Sequence, residues 1–480
     1  MVALTTGLHE VYAPFLASGV VACAASPSSD RTSLARHDSH GKEVPVTSSS
    51  RHAPVQHVRL FLITFLGLAG SMSAATPAPA APNASMPGMT MPPAGGGRTL
   101  PSMSAPGTPV KRVPLDQLPE ATLSGPTRMG SLVMPPGMIM TASTSMDAMK
   151  DMAAVDPANV KATASPGARG DRPLAPTTVK GVKEFRLTIG LTTWNILPTR
   201  QVDAYAVNGQ VPGPRLRFEQ GDRIRVIVKN TLPEGTSIHW HGLILGNRMD
   251  GVGDVTQKPI APGASLTYDF TAVQAGTFYY HSHTQSDRQQ GLGLYGALII
   301  DPTTNPANIR RLKALTRPGD AATALARVSD QPRTDKEYVL QLQEWLWRDG
   351  YTFPAMMMEG ALPNYFTING KAYPSTDVIR LKVGQTVKLR FIGSNNNFVH
   401  PMHVHGGPFE VVARDGETLK ASARFLADTV NVGPGQRYDV IWTARTPGTW
   451  LLHCHIPHHT VNDNVEEQGG GGLMMKIIVE

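Results

Sequence analysis

The feature that most limits how this chain can fold is a strand ending that occurs twice. Residues 276–283 read GTFYYHSH and residues 448–455 read GTWLLHCH. Around each lie short segments in which apolar and polar residues alternate between Gly and Pro breaks. In the first half these are residues 213–230, 264–270 and 296–302; in the second they are 366–374, 378–393 and 437–444. Alternation with a period of two over short stretches marks half-buried strands. A repeated ending means that one structural unit is present twice. The chain is therefore expected to be all-β, with two similar β-sandwich domains at 182–303 and 336–480 and a polar connector at 304–335.

The N-terminal third has a different texture. Arg51 and Arg59 precede the apolar run LFLITFLGL (60–68), and small residues follow to Ala75. This reads as an export signal at 51–75, too short to span a bilayer as a mature helix. Residues 1–50 are then an over-extended start; a lipoprotein-like VVAC at Val20–Cys23 has no Lys or Arg upstream to support it. The mature protein is expected to be periplasmic or secreted, with no membrane span after processing. Residues 76–181, rich in Met, Pro and Ala, are expected to be a disordered linker, having few large apolar side chains to bury. Twelve of the 20 methionines fall between Met72 and Met152, either as soft ligands for Cu(I) or as incidental parts of a tether. The net charge of +7 is scattered and forms no basic stripe, so no nucleic-acid partner is expected.

The histidines carry the chemistry. Beyond residue 58 there are eleven, all inside four windows: 239–241, 281–283, 400–405 and 453–459. Scattered core or surface histidines do not crowd in this way, and metal ligation is the reading that remains. A His-x-His pair on a strand puts both imidazoles on one face. His239/His241, His281/His283, His403/His405 and His453/His455 are four such pairs. Cys454, between the last two, points to the opposite face, where His400 and His459 are available. One cysteine and two histidines form the ligand set of a blue copper electron-transfer site.

The motifs HWHG (239–242), HSH (281–283), HPMHVHG (400–406) and HCHIPHH (453–459) resemble, in order, the four copper motifs of multicopper oxidases. The likeness covers roughly the last 300 residues and includes the stretch MDGVGDVTQKPIAPG (249–263). It implies two cupredoxin-like Greek-key domains and four coppers per functional unit: one type 1, one type 2 and two type 3. His400, Cys454 and His459 would hold type 1, and His239 with His403 would hold type 2. His241, His281, His283, His405, His453 and His455 would hold the type 3 pair. Asp250 matches the carboxylate that such enzymes use to deliver protons; the plain alternative is a turn residue before Gly251, which Asp often is. The implied reaction is one-electron oxidation of a phenol, an aromatic amine or Cu(I), coupled to four-electron reduction of dioxygen to water.

Only 116 residues (284–399) separate HSH from HPMHVHG, which leaves no space for a third domain. The chain is similar to the two-domain, small-laccase type, which implies a homotrimer sharing its three-copper clusters between subunits. Thirteen residues (460–472) stand between the last motif and Leu473-Met474, so either Leu473 or Met474 is the axial type 1 residue. That insertion is read as a glycine-hinged lid bordering the type 1 site or as a plain surface loop. Asp463, Glu466 and Glu467 within it are candidates for a second proton donor. Two other functions are in play. A copper nitrite reductase would carry its type 1 cysteine in the first domain, where this chain has Ser282. A periplasmic copper-binding or copper-resistance protein would take up copper without consuming oxygen.

Overall fold

A computed structural model describes residues 111–112, 121–122, 125–140, 144–315, 332–357, 360–466 and 469–480. The export segment and the methionines before residue 125 lie outside them.

In the first domain the alternation sorts side chains as expected. Strand Arg223–Asn230 (RIRVIVKN) buries Ile224, Val226 and Val228 and turns its charges outward. It lies between Ser265–Thr271 and the long strand Val182–Leu197, and forms one face of a sandwich. The facing sheet runs His239–His241, Gly276–His281, Tyr295–Asp301, Arg215–Glu219 and Pro173–Leu174. Phe185, Trp240, Tyr268, Phe278 and Tyr280 fill the space between them. The second domain repeats the plan. Its inner sheet orders Val378–Leu381, Met474–Val479, Gly448–Cys454, His400–Val404 and Thr429–Val432 against an eight-stranded sheet centred on Thr386–Gly393 and Arg437–Thr443. Parallel pairs between strands distant in sequence, such as Val378–Leu381 on Met474–Val479, give the crossed connections of a Greek key.

The two domains share a packed face. Tyr279, Ala297 and Ile299 of the first meet Val339 and Ile392 of the second. Beside them Arg390, buried, donates to Asp439 (2.5 Å), Glu337 (2.7 Å) and Thr277 (2.7 Å), so its charge is matched on both sides. Asp439 and Glu337 belong, like Arg390, to the second domain, so removing either strands a buried charge there, while the bond to Thr277 is the one of the three that reaches the first domain.

Two expectations are corrected. The domain edges extend past 182–303: Pro173–Leu174 and Thr177–Val179 already pair into its sheets, and helix Pro306–Leu315 buries Leu312 in the expected connector. Residues 125–181, expected to lack a core, contain a hairpin (Thr127–Met129 with Leu132–Met134) and helix Met146–Met152. Met129, Met134, Met138 and Met149, each at most 1% exposed, pack on one another. Unbranched thioether side chains fill an irregular core, so a stretch poor in Leu and Ile still buries enough surface to order. Among the described residues no helix is long and apolar enough to cross a membrane.

Candidate metal centres

The first group of imidazoles follows from strand pairing. His239–His241 runs antiparallel to Gly276–His281 with His239 opposite His281, Trp240 opposite Tyr280 and His241 opposite Tyr279. Opposed residues share a face. Trp240 and Tyr280 therefore enter the core, while His239, His241 and His281 gather on the other side with His283 following. Ring centroids of His239 lie 5.3–5.7 Å from those of the other three. One ring nitrogen from each of His239, His241 and His281 falls within 4.8 Å of the others. Tyr279 stacks on both His241 (4.6 Å) and His281 (4.9 Å) and limits their rotation. The Nδ1 of His239 meets the backbone oxygen of Asp250 at 2.7 Å, with the Asp250 carboxylate at 3.5 Å. This leaves Nε2 of His239 facing its neighbours.

The second domain builds two groups on opposite sides of one strand. In Gly448–Cys454, His453 is opposite His403 and Cys454 is opposite Met402. His403, His405, His453 and His455 gather on one side, with ring centroids 5.0–5.7 Å apart. The Nε2 atoms of His405 and His453 approach to 3.0 Å. On the reverse side Cys454 Sγ lies 3.5 Å from His459 Nδ1, and His400 Nδ1 lies 3.1 Å from the same atom. All three residues are buried, and their ligand atoms lie within 4.8 Å of one another. The turn Pro457–Thr460 that ends the motif carries His459 back over the strand, where Phe366 stacks on it at 4.3 Å.

Burial sets the protonation of these groups. It holds His239, His281, His405 and His453 below the ordinary imidazole range and pushes His241 and His459 down to about 3. At His241 the buried Arg437 of the second domain adds to the effect. Neutral imidazoles are the form that binds a metal. The same burial pushes the Cys454 thiol up to about 12, so a cation must displace its proton. A thiol and two ring lone pairs converging in a buried site fit a soft, imidazole-accepting metal such as copper.

Not every expected residue arrives at its site. Met474 does not: it pairs with His453, so its side chain is on the imidazole face, with its thioether packed against Gly470. Leu473, fully buried in the same cluster as Cys454, is the residue on the thiol side. Of the 460–472 insertion, Gly472 lies against the backbone of His459, and Thr460, Val461, Asn464, Glu466, Gly469 and Gly470 line a cavity of about 390 Å³ together with His405, His453 and Met474. Glu466 is on that wall, whereas Asp463 is tied away to Asn364 (2.7 Å) and Arg200 (3.9 Å). Glu467 lies outside the described residues. Phe366 and Glu344, which touch the histidines, carry no motif by which the sequence could have named them, whereas Tyr279 stands inside GTFYYHSH, two residues before His281 and on the same strand face.

Comparison with known proteins identifies the arrangement. The sequence matches the multicopper oxidase family over residues 188–305 and again over 352–466. A solved multicopper oxidase, mgLAC, shares 34% identity and a TM-score of 0.53, over 62% of this chain and 86% of the other. The chain belongs to the multicopper oxidase family. A blue copper oxidase from Nitrosomonas europaea is similar at 34% identity and a TM-score of 0.50, over 62% of this chain and 85% of that one. Curated relatives include a copper resistance protein A homolog from Pseudomonas syringae pv. tomato, 32% identical over 54% of this chain and 47% of its own length. Laccase-1 of Cryptococcus neoformans var. grubii is 34% identical over 50% of this chain and 38% of its own. The chain thus spans half or less of the length of these curated relatives. As in the family at large, copper is the metal that its histidines and cysteine suit, and the fold is built from cupredoxin-like sandwiches.

Proposed function

We propose that this multicopper oxidase couples one-electron oxidation of a reducing substrate to the four-electron reduction of dioxygen to water. The observation that carries the reading is the strand Gly448–Cys454, which presents a buried thiol on one side and imidazoles on the other. His400, Cys454 and His459 would hold the type 1 copper. The eight paired histidines would hold the type 2 copper (His239, His403) and the type 3 pair (His241, His281, His283, His405, His453, His455). Bound copper supplies one-electron uptake at the first site and dioxygen reduction at the second. Cys454 is covalently continuous with His453 and His455, so the protein offers an electron a path of one residue between the two. Asp250 sits 3.5 Å from His239 with its carboxylate free to pass protons towards that face.

Every ring contact among the described histidines stays within one domain: the set around His239 and the set around His403 do not meet in one chain. A cluster needing both sets is completed when the first domain of one subunit faces the second domain of the next, as in a homotrimer. Apolar side chains beside both sets support this. Leu426 (69% exposed) lines a cavity with His403 and His405, and Ile244 (61%) follows His241 closely in the chain.

The electron donor is a phenol, an aromatic amine or Cu(I). A copper-resistance role fits the relatives from Pseudomonas, and export to the periplasm or beyond fits the apolar run at 60–68. Copper-loaded protein is expected to bind about four coppers per chain, show a strong blue absorption, elute as a trimer and consume oxygen. One copper per chain, or uptake without oxygen consumption, overturns the oxidase reading in favour of a copper carrier. Comparing Cu(I) with a phenolic dye, with and without residues 76–124, then separates the donors.

A further inference from the structure

One buried carboxylate beside the thiol group has no part in the chemistry above. Glu344, 2% exposed, lies on strand Lys336–Arg348 directly opposite Phe366 of Tyr365–Ile368. Opposed residues share a face, so the two reach the same group side by side. Phe366 covers the ring of His459, and Glu344 Oε2 comes within 3.5 Å of His400 Nε2. The other carboxylate oxygen is held at 3.3 Å by Asn395 Nδ2 and at 3.3 Å by the backbone N–H of Asn397. Neither Oε2 of Glu344 nor Nε2 of His400 has a hydrogen-bond partner among the described residues, and His400 is fully buried. Each is the polar atom the other has at hand.

The tautomer of His400 makes this pair consequential. Nδ1 of His400 points at His459 Nδ1 and the thiol, the position of a ligand lone pair. A neutral imidazole carries one N–H, which must then be on Nε2 and aimed at Glu344. Burying that N–H without an acceptor is unfavourable, so a carboxylate there selects the ligating tautomer. Its negative charge, in a dry site, also stabilises the more oxidised state of a metal bound to the ring.

We propose that Glu344 is the positioning residue of the mononuclear site: it accepts the Nε2–H of His400, fixes Nδ1 toward Cys454 and His459, and lowers the reduction potential of the bound copper. The proposal rests on assigning copper to His400, Cys454 and His459. The alternative is that Glu344 only ties down the turn at Asn395–Asn397.

Two measurements separate these roles. The first is ¹⁵N NMR of copper-free wild type, expected to show His400 as the Nε2–H tautomer; an Nδ1–H tautomer overturns the proposal without any metal present. The second is redox titration of the blue band in wild type and Glu344→Gln, which keeps the acceptor oxygen and removes the charge. The band is expected to survive with a raised potential, while Glu344→Leu weakens copper binding at this site roughly 10- to 100-fold. An unchanged potential in Glu344→Gln with the band intact overturns the role of Glu344 alone and leaves the turn tie. A wild-type protein with no blue band overturns the copper assignment and this proposal together.

Discussion

Ser282 and Cys454 occupy the same place in two copies of one strand motif, yet their surroundings differ completely. Both are buried and both point away from a pair of imidazoles. Behind Ser282 the chain turns into the short helix Ser286–Gln289, and the hydroxyl donates to Gln289 Oε1 at 2.7 Å. Gln289 in turn accepts from Thr236 (2.7 Å) and donates to the backbone of Gly235 (2.9 Å), so the space is closed by hydrogen bonds. Behind Cys454 the turn Pro457–Thr460 brings His459 instead, and His400 arrives from the neighbouring strand His400–Val404. The imidazole faces of the two motifs are alike; their reverse faces are set by the next few residues of the chain. Only one of the two domains can therefore add a mononuclear site to its share of the histidines.

The sharpest way to break this comparison is to make the second motif resemble the first. Cys454→Ser is expected to abolish the blue absorption and substrate oxidation while the imidazole side still binds copper. Retention of the blue band by that variant would sink the assignment. His241→Ala acts on the other face and the other domain: oxygen uptake is expected to fall to background with the blue band intact, as followed with an oxygen electrode and a visible spectrum. Making the first motif resemble the second should do far less. Ser282→Cys has no imidazole behind it, so the copper-to-chain ratio stays unchanged. The lost hydrogen bond to Gln289 costs about 1 kcal/mol, read as a lower unfolding midpoint. A second blue copper in that variant would show that the turn after the strand does not decide the reverse face.

The smallest effect is a pH dependence. Burial lowers the folded-state values of His241 and His459 to about 3 from an ordinary 6.5. Between these limits the unfolded chain binds more protons than the folded one, so the stability of copper-free protein falls as pH drops from about 6.5 to about 3. Above that window these groups contribute no slope. His241→Asn is expected to flatten part of the acid limb of the unfolding midpoint against pH. An unaltered limb means that the first-domain face is wetter than its packing on Tyr279 implies.

Much of this is readable along the chain because both ingredients are local. A period of two assigns a face to each residue of a strand, so spacing alone sorts His453, Cys454 and His455. The repeat at 276–283 and 448–455 likewise requires two similar sandwiches. Legibility ends where periodicity ends. The glycine-rich insertion at 460–472 hides the register of the strand after it, and register alone excludes Met474 and puts Leu473 behind Cys454. The order found in residues 125–181 escapes composition because methionine, in a segment rich in Pro, Ala and Gly, signals a core only once its neighbours are known.

By itself, then, the sequence determined the fold class, the crowding of the histidines into four windows, and the two faces of the strand that carries Cys454. Tertiary structure decided which side chains surround those ligands. Glu344, Phe366 and Arg437 come from strands that are distant in sequence or lack a motif, and they meet the histidines only through pairing and packing. Contact across a sheet depends on register and sandwich geometry, which no short window of residues encodes.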